Sequence, residues 1–223
     1  MSMSRVRNLL AAIGALALLL VMLSLLVAAG FLRSLDLEVS NALAGDWVPA
    51  LQLPLQAIAL LGGMEATSLV ALAIFLILWR RGYRVGAFSV GAFFGAVLIE
   101  VAYKKFFVHP GPPLALHHPD GPSLSDLAEG SLHLQASFPS GHMLRTVIVY
   151  GLLAFIVSRL AAPGVARRLA IPAAVLLIIL MAFDRVYLEV HWASDVLGGL
   201  VLGCLALAVA VTWLELRGGT AIE

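Results

Sequence analysis

DRVYLEVHWASDVLGGLVLGCLALAVAVTW, residues 184–213, decides the architecture. After Asp195 no Asp, Glu, Lys or Arg appears until Glu215, and an apolar run of about 20 residues is what a bilayer core demands of a helix. Just ahead of that run stand Arg185, His191 and Asp195. Ionisable groups at the edge of a membrane span are costly to desolvate, so function is their default explanation.

The rest of the chain has the same character. Of 223 residues, 61% are hydrophobic and 12% charged, and the mean hydropathy is +1.01, too apolar for a soluble domain. The reading is all-α: one membrane domain over residues 1–223, built as a bundle of six spans with a long extracytoplasmic loop. The spans are expected near 9–32, 62–79, 84–106, 141–160, 168–187 and 192–215. The first follows Arg5 and Arg7 and exceeds the apolar core of a signal peptide, so it is expected to remain as an uncleaved span. Residues 48–61, interrupted by Pro49 and Pro54 and followed by Gly62-Gly63, predict a short interfacial or tilted helix leading into the second span. The proline-rich stretch 107–140 is the long polar loop, expected to be ordered and functional.

Charge placement orients the bundle. Arg5, Arg7, Arg80, Arg81, Arg84, Arg159, Arg167, Arg168 and Arg217 fall on one side, which the positive-inside rule makes cytoplasmic together with both termini. His109, His117, His118, His133, His142 and His191 fall on or near the other, as do Lys104, Lys105, Arg185 and Asp195. The net charge of +1 argues against a nucleic-acid partner. Cys204 lies inside an apolar run, which leaves no disulfide frame and no thiolate metal site.

The chemistry is carried by two short stretches. In the first, Pro139-Ser140-Gly141-His142 opens the fourth span: serine suits a helix cap, and glycine lets an anion approach the backbone amides at the positive helix end. In the second, Asp195 follows His191 by four residues, one helical turn on, where a carboxylate can fix the imidazole tautomer and stabilise its positive charge. Arg185 offers a planar fork for phosphate oxygens. Lys104, at the outer end of the third span, adds positive charge. Glu100 stands one turn from Lys104 and is its natural partner. His117, His118 and His133 read as solvated loop residues. Outside its motif, Arg185 reads as a partner for Glu189 at i+4.

With these residues the chain resembles the type-2 phosphatidic acid phosphatase superfamily, which includes integral-membrane lipid phosphatases and soluble vanadium haloperoxidases. That family's pattern is Lys-x6-Arg-Pro, then Pro-Ser-Gly-His, then Ser-Arg-x5-His-x3-Asp. Here the second part is complete at 139–142, and the third reads Asp184-Arg185-x5-His191-x3-Asp195, with aspartate in place of serine. The first part departs: seven residues after Lys104 stands Gly111. Arg145, three residues after His142, is the candidate substitute, and His109 is another.

The resemblance covers about residues 50–215. It implies an enzyme, a lipid phosphate phosphatase that uses neither metal nor cofactor. His191 would be the nucleophile, Asp195 its orienting carboxylate and His142 the acid for the leaving oxygen. Lys104, Ser140, Gly141 and Arg185 would hold the phosphoryl oxygens. The expected substrate is a membrane lipid: a polyprenyl diphosphate, phosphatidic acid or phosphatidylglycerol phosphate. A lipid phosphotransferase and a catalytically weakened lipid-binding or transport protein are the alternatives. The motifs are silent on oligomeric state.

Overall fold

The computed structural model describes residues 3–44, 47–120 and 136–217, and all the regular structure in them is helical. Eight helices follow in chain order: α1 Met3–Ala28, α2 Arg33–Ala44, α3 Gln52–Gly62, α4 Met64–Arg80, α5 Arg84–Phe106, α6 Gly141–Leu160, α7 Val165–Tyr187 and α8 Ala193–Arg217. Of these, α1, α5, α6, α7 and α8 are each long and apolar enough to cross a membrane. The sixth span exists only if Pro49–Gly62 and Met64–Arg80 count as one, bent by 46° at Gly63. The residue before the break is closely packed. A Cβ on Gly62 would stand 2.6 Å from Met181 Cε and 2.8 Å from Thr146 Oγ1, so α3 meets α6 and α7 at a point where no side chain fits.

Composition explains which faces turn outward. Leu18 and Leu25 of α1, Leu69 of α4, Leu98 of α5 and Ile179 of α7 are all exposed, a lipid-facing surface rather than a defect. The most enclosed span is α6, and α7 is the least. Around α6, Leu144, Ile148 and Leu152 pack with Leu78, Phe93 and Leu202. The polar groups are buried near the ends of spans: Glu100, Lys104, Arg145, Arg185, Ser194 and Asp195 all lie inside.

Helix α2 is absent from the expected layout. It is short and carries Arg33, Asp36 and Glu38, so it does not read as a span. Its place is fixed by Asp36, which accepts hydrogen bonds from Ser194 N (2.8 Å) and Ser194 Oγ (2.7 Å). That carboxylate caps the positive start of α8 and anchors α2 beside the residues considered next.

Candidate active site

Close approach of α8 to the start of α6 brings the two motifs together. A Cβ on Gly199 would collide with Ser140 O, and one on Gly198 with the Phe138 ring. Gly199 thus lets the backbones touch and Gly198 makes room for the ring, and Ser140 N donates to Asp195 O at 2.9 Å beside them. His191 N donates to Arg185 O at 3.2 Å, which ties the end of α7 to the entry of α8. His142, on the first turn of α6, lies within Coulombic reach of Arg185, Lys104 and His191. The expected residues therefore gather at one end of the bundle.

The environment of His191 is more elaborate than a simple pair. Nδ1 lies 3.4 Å from Asp195 Oδ2, a long contact, yet only 2.8 Å from Ser137 Oγ. Ser137 Oγ donates its proton to Asp195 Oδ2 at 2.6 Å. A hydroxyl that donates to the carboxylate accepts from the imidazole, so Nδ1 carries the proton and Nε2 keeps a lone pair. Asp195 itself is fully buried; Oδ2 also accepts from Trp192 N at 2.9 Å, and Oδ1 lies 3.2 Å from His109 Nε2. Sequence reasoning missed Ser137. Its only signal was adjacency to Phe138-Pro139-Ser140-Gly141-His142.

Ser140 does not cap α6 with its side chain as expected. Its Oγ is buried and has no hydrogen-bond partner among the described residues. An unpaired buried hydroxyl is costly, and this one sits at a helix start whose first amides lack intrahelical acceptors. Both features suit an anion.

Lys104 pairs with Glu100 at 3.3 Å, as the spacing implied. Arg145 stands elsewhere than expected. Its Nη1 donates to both Glu100 oxygens at 3.1 and 3.2 Å, and its Nε donates to Gly62 O at 3.2 Å. It thus does not stand as a free phosphate ligand in place of the family arginine; a carboxylate buried beside Gly141 needs neutralising, and Arg145 does this with Lys104. His109, the other candidate, stands on Asp195. Gly111 faces Ser137: a Cβ there would lie 3.1 Å from Ser137 Oγ.

Arg185 is not paired with Glu189, which instead takes a hydrogen bond from Ser40 Oγ at 3.4 Å. Its Nε donates to Asp184 Oδ2 at 2.7 Å, and Nη1 and Nη2 donate to the two oxygens of Asp120, both at 2.7 Å. Two of the loop histidines are also engaged. His118 stacks on Trp47 with ring centroids 3.5 Å apart, and His117 Nε2 lies 3.1 Å from Pro112 O. His133 falls outside the described residues. A cavity of about 430 Å³ opens between α2 and residues 108–116 and reaches His109, Gly111 and Trp192.

The PAP2 superfamily model matches residues 85–218. Over 70 residues the chain is 40% identical to phosphatidylglycerophosphatase B of Bacillus subtilis (strain 168), a match covering 31% of this chain and 34% of that protein. Over 81 residues it is 37% identical to lipid phosphate phosphatase delta of Arabidopsis thaliana, covering 35% of this chain and 20% of that one. The matched segments thus span about a third and a fifth of these relatives. The fold superposes with TM-score 0.76 on the crystal structure of a transmembrane PAP2 type phosphatidylglycerolphosphate phosphatase from Bacillus subtilis, at 24% identity, over 91% of this chain and 96% of that one.

Proposed function

The chain belongs to the PAP2 superfamily, as a multi-pass membrane protein, and on that premise we propose that it hydrolyses the terminal phosphate of a membrane lipid through a phosphohistidine. The observation that carries this is the relay from His191 Nδ1 through Ser137 Oγ to Asp195, which leaves Nε2 as the nitrogen with the lone pair. Nε2 attacks phosphorus as the bond to the lipid oxygen breaks, and His142 gives that oxygen its proton. Asp195, reached through Ser137, balances the imidazolium. Water then attacks the phosphohistidine, returning a proton to His142 and freeing phosphate. Lys104, Ser140 Oγ, the amides of Gly141 and His142, and Arg185 hold the phosphoryl oxygens, so positioning and charge carry the rate. No step calls for a metal.

We read the described helices as one membrane domain. The arginines at the ends of α4 and α6 and the starts of α5 and α7 lie at the opposite ends of the spans from the histidines, which supports an extracytoplasmic site with cytoplasmic termini in an inner membrane. The cavity beside His109 lies next to the end of α1 and to α2, where it could take a part of the lipid away from the phosphate. The substrate class is a lipid phosphomonoester or diphosphate, with phosphatidylglycerol phosphate, phosphatidic acid and polyprenyl diphosphate as candidates.

The test is a panel of these three lipids in detergent micelles, with released inorganic phosphate measured and lipids separated afterwards. Release into solution from at least one is expected. Phosphate appearing on a second lipid instead would make the protein a transferase, and no turnover of any would leave only a binding protein.

Ser137→Ala should lower kcat for phosphate release roughly tenfold to 100-fold, the worth of one charge-assisted hydrogen bond. The direct 3.4 Å contact to Asp195 keeps some activity. Ser137→Thr, which keeps the hydroxyl, should restore most of it. An unchanged kcat in the alanine variant would remove Ser137 from the relay.

A further inference from the structure

Arg185 is the residue most suited to grip phosphate, yet its fork is already filled. Asp120 meets Nη1 and Nη2 with one oxygen each, at 2.7 Å, the way a phosphoryl group would. Asp184 holds the Nε edge. One guanidinium therefore carries two carboxylates, a formal charge of −1 where an anionic headgroup has to bind. The two acids differ in enclosure: Asp184 is fully buried, whereas the Asp120 side chain keeps 24% of its surface exposed. Asp120 is the one that can leave.

Its placement is built rather than incidental. The backbone leading to it is tied down by His118 N donating to Leu188 O at 3.0 Å, by the stack of His118 on Trp47, and by Gln56 Nε2 donating to Pro119 O at 2.9 Å. A loop acid anchored on three sides stays beside Arg185 at a high effective concentration.

We propose that Asp120 is an internal competitor for Arg185, a carboxylate that every entering phosphate must displace; this rests on the reading of Arg185 as a phosphoryl ligand. A competitor of this kind weakens all anions by one common factor, because Arg185 is open only in the fraction of molecules where Asp120 has swung away. The consequence is a threshold. A terminal phosphate brings up to two negative charges and three free oxygens, and its attraction to Arg185, Lys104 and the start of α6 survives the handicap. A phosphodiester brings one charge and two free oxygens, no more than Asp120 already supplies. Asp120 thereby lowers the occupancy of the site by the phosphodiester headgroups that fill the surrounding bilayer, while leaving the ratio of affinities between anions as it was.

The experiment measures inhibition of short-chain phosphatidic acid hydrolysis by inorganic phosphate and by dimethyl phosphate, in wild type, Asp120→Asn, Gln56→Ala and Arg185→Ala. In Asp120→Asn both inhibition constants should fall in parallel, roughly tenfold to 100-fold, with KM falling and kcat unchanged. Phosphatidylglycerol added to the micelles should inhibit that variant and not the wild type. Gln56→Ala, which loosens the tether from a half-buried position, should shift both constants the same way by less, and it decides the matter if Asp120→Asn does not fold. Constants that stay put in the folded variants, or that move for one anion alone, overturn the competitor. Arg185→Ala separates the two readings: if it leaves inhibition by inorganic phosphate unaltered, Arg185 is no phosphate ligand and the premise itself fails.

Discussion

His191→Ala is expected to abolish phosphate release, by about 10⁴-fold or more, because the nucleophile has no neighbour that can replace it. The other imidazole near the relay, His109, is held against Asp195 at 3.2 Å. With labelled lipid and an acid-free quench, the wild type should retain label on the protein and His191→Ala should retain none. His142→Ala separates the two imidazoles by role. Its loss should be severe for a lipid alcohol, a poor leaving group that needs a proton, and small for an aryl phosphate, whose oxygen departs without one. Equal losses for both substrates would take the acid role away from His142, and undiminished turnover in His191→Ala would end the phosphohistidine mechanism.

The second large effect concerns stability. Glu100 is buried between Lys104 and Arg145, with its carboxylate against Gly141 at the head of α6. Glu100→Gln keeps the shape and removes the carboxylate that faces two buried cations; a loss of about 3–5 kcal/mol is expected, the cost of breaking a buried pair from one side. Arg145→Gln should cost less, since Lys104 still faces the carboxylate. The double variant should cost less than the sum of the singles, because the arginine that Glu100→Gln deprives of its carboxylate is then gone, and only the Lys104 contact is still lost. Thermal unfolding of the purified protein in micelles, arranged as a double-mutant cycle, measures the coupling. Additive losses would show that Glu100 and Arg145 do not act as a pair. Turnover gives a second readout: freed from Glu100, Arg145 in the Glu100→Gln background would behave as an extra anion ligand, lowering KM. With Arg145 as it stands, the position of Gly111 has no arginine substitute.

Much of this could be read from the chain. Apolar run length against bilayer thickness identifies spans wherever one helix crosses alone, and five of the expected six appear as single helices. The break near Gly63 was legible too, since Pro49, Pro54 and Gly62-Gly63 predict a short helix leading into the second span, and Gln52–Gly62 followed by Met64–Arg80 is what the structure has. The amphipathic α2 was harder because it lacks a long apolar run. Motif spacing also brought out His142, His191 and Asp195, although His191 stands two residues ahead of α8 and not on its first turn.

Partners from distant segments were another matter. Ser137, Asp120 and Asp36 are ordinary loop or helix residues by type, and their roles come from which helix ends lie side by side. Arg145 shows the same limit from the other direction: its distance from His142 along the helix suggested the phosphate, and its rotation toward Glu100 and Gly62 decided otherwise.

Sequence by itself determined the solvent in which this protein folds, the helices that follow from it and the two imidazoles at one end of the spans, since each depends only on nearby residues and the thickness of a membrane. Tertiary structure alone decided which hydroxyl links His191 to Asp195, which acid neutralises Arg145 and which carboxylate fills the fork of Arg185. Those pairings depend on the axial register and facing of packed helices, set by glycine contacts such as Gly199 on Ser140 that involve the whole bundle at once.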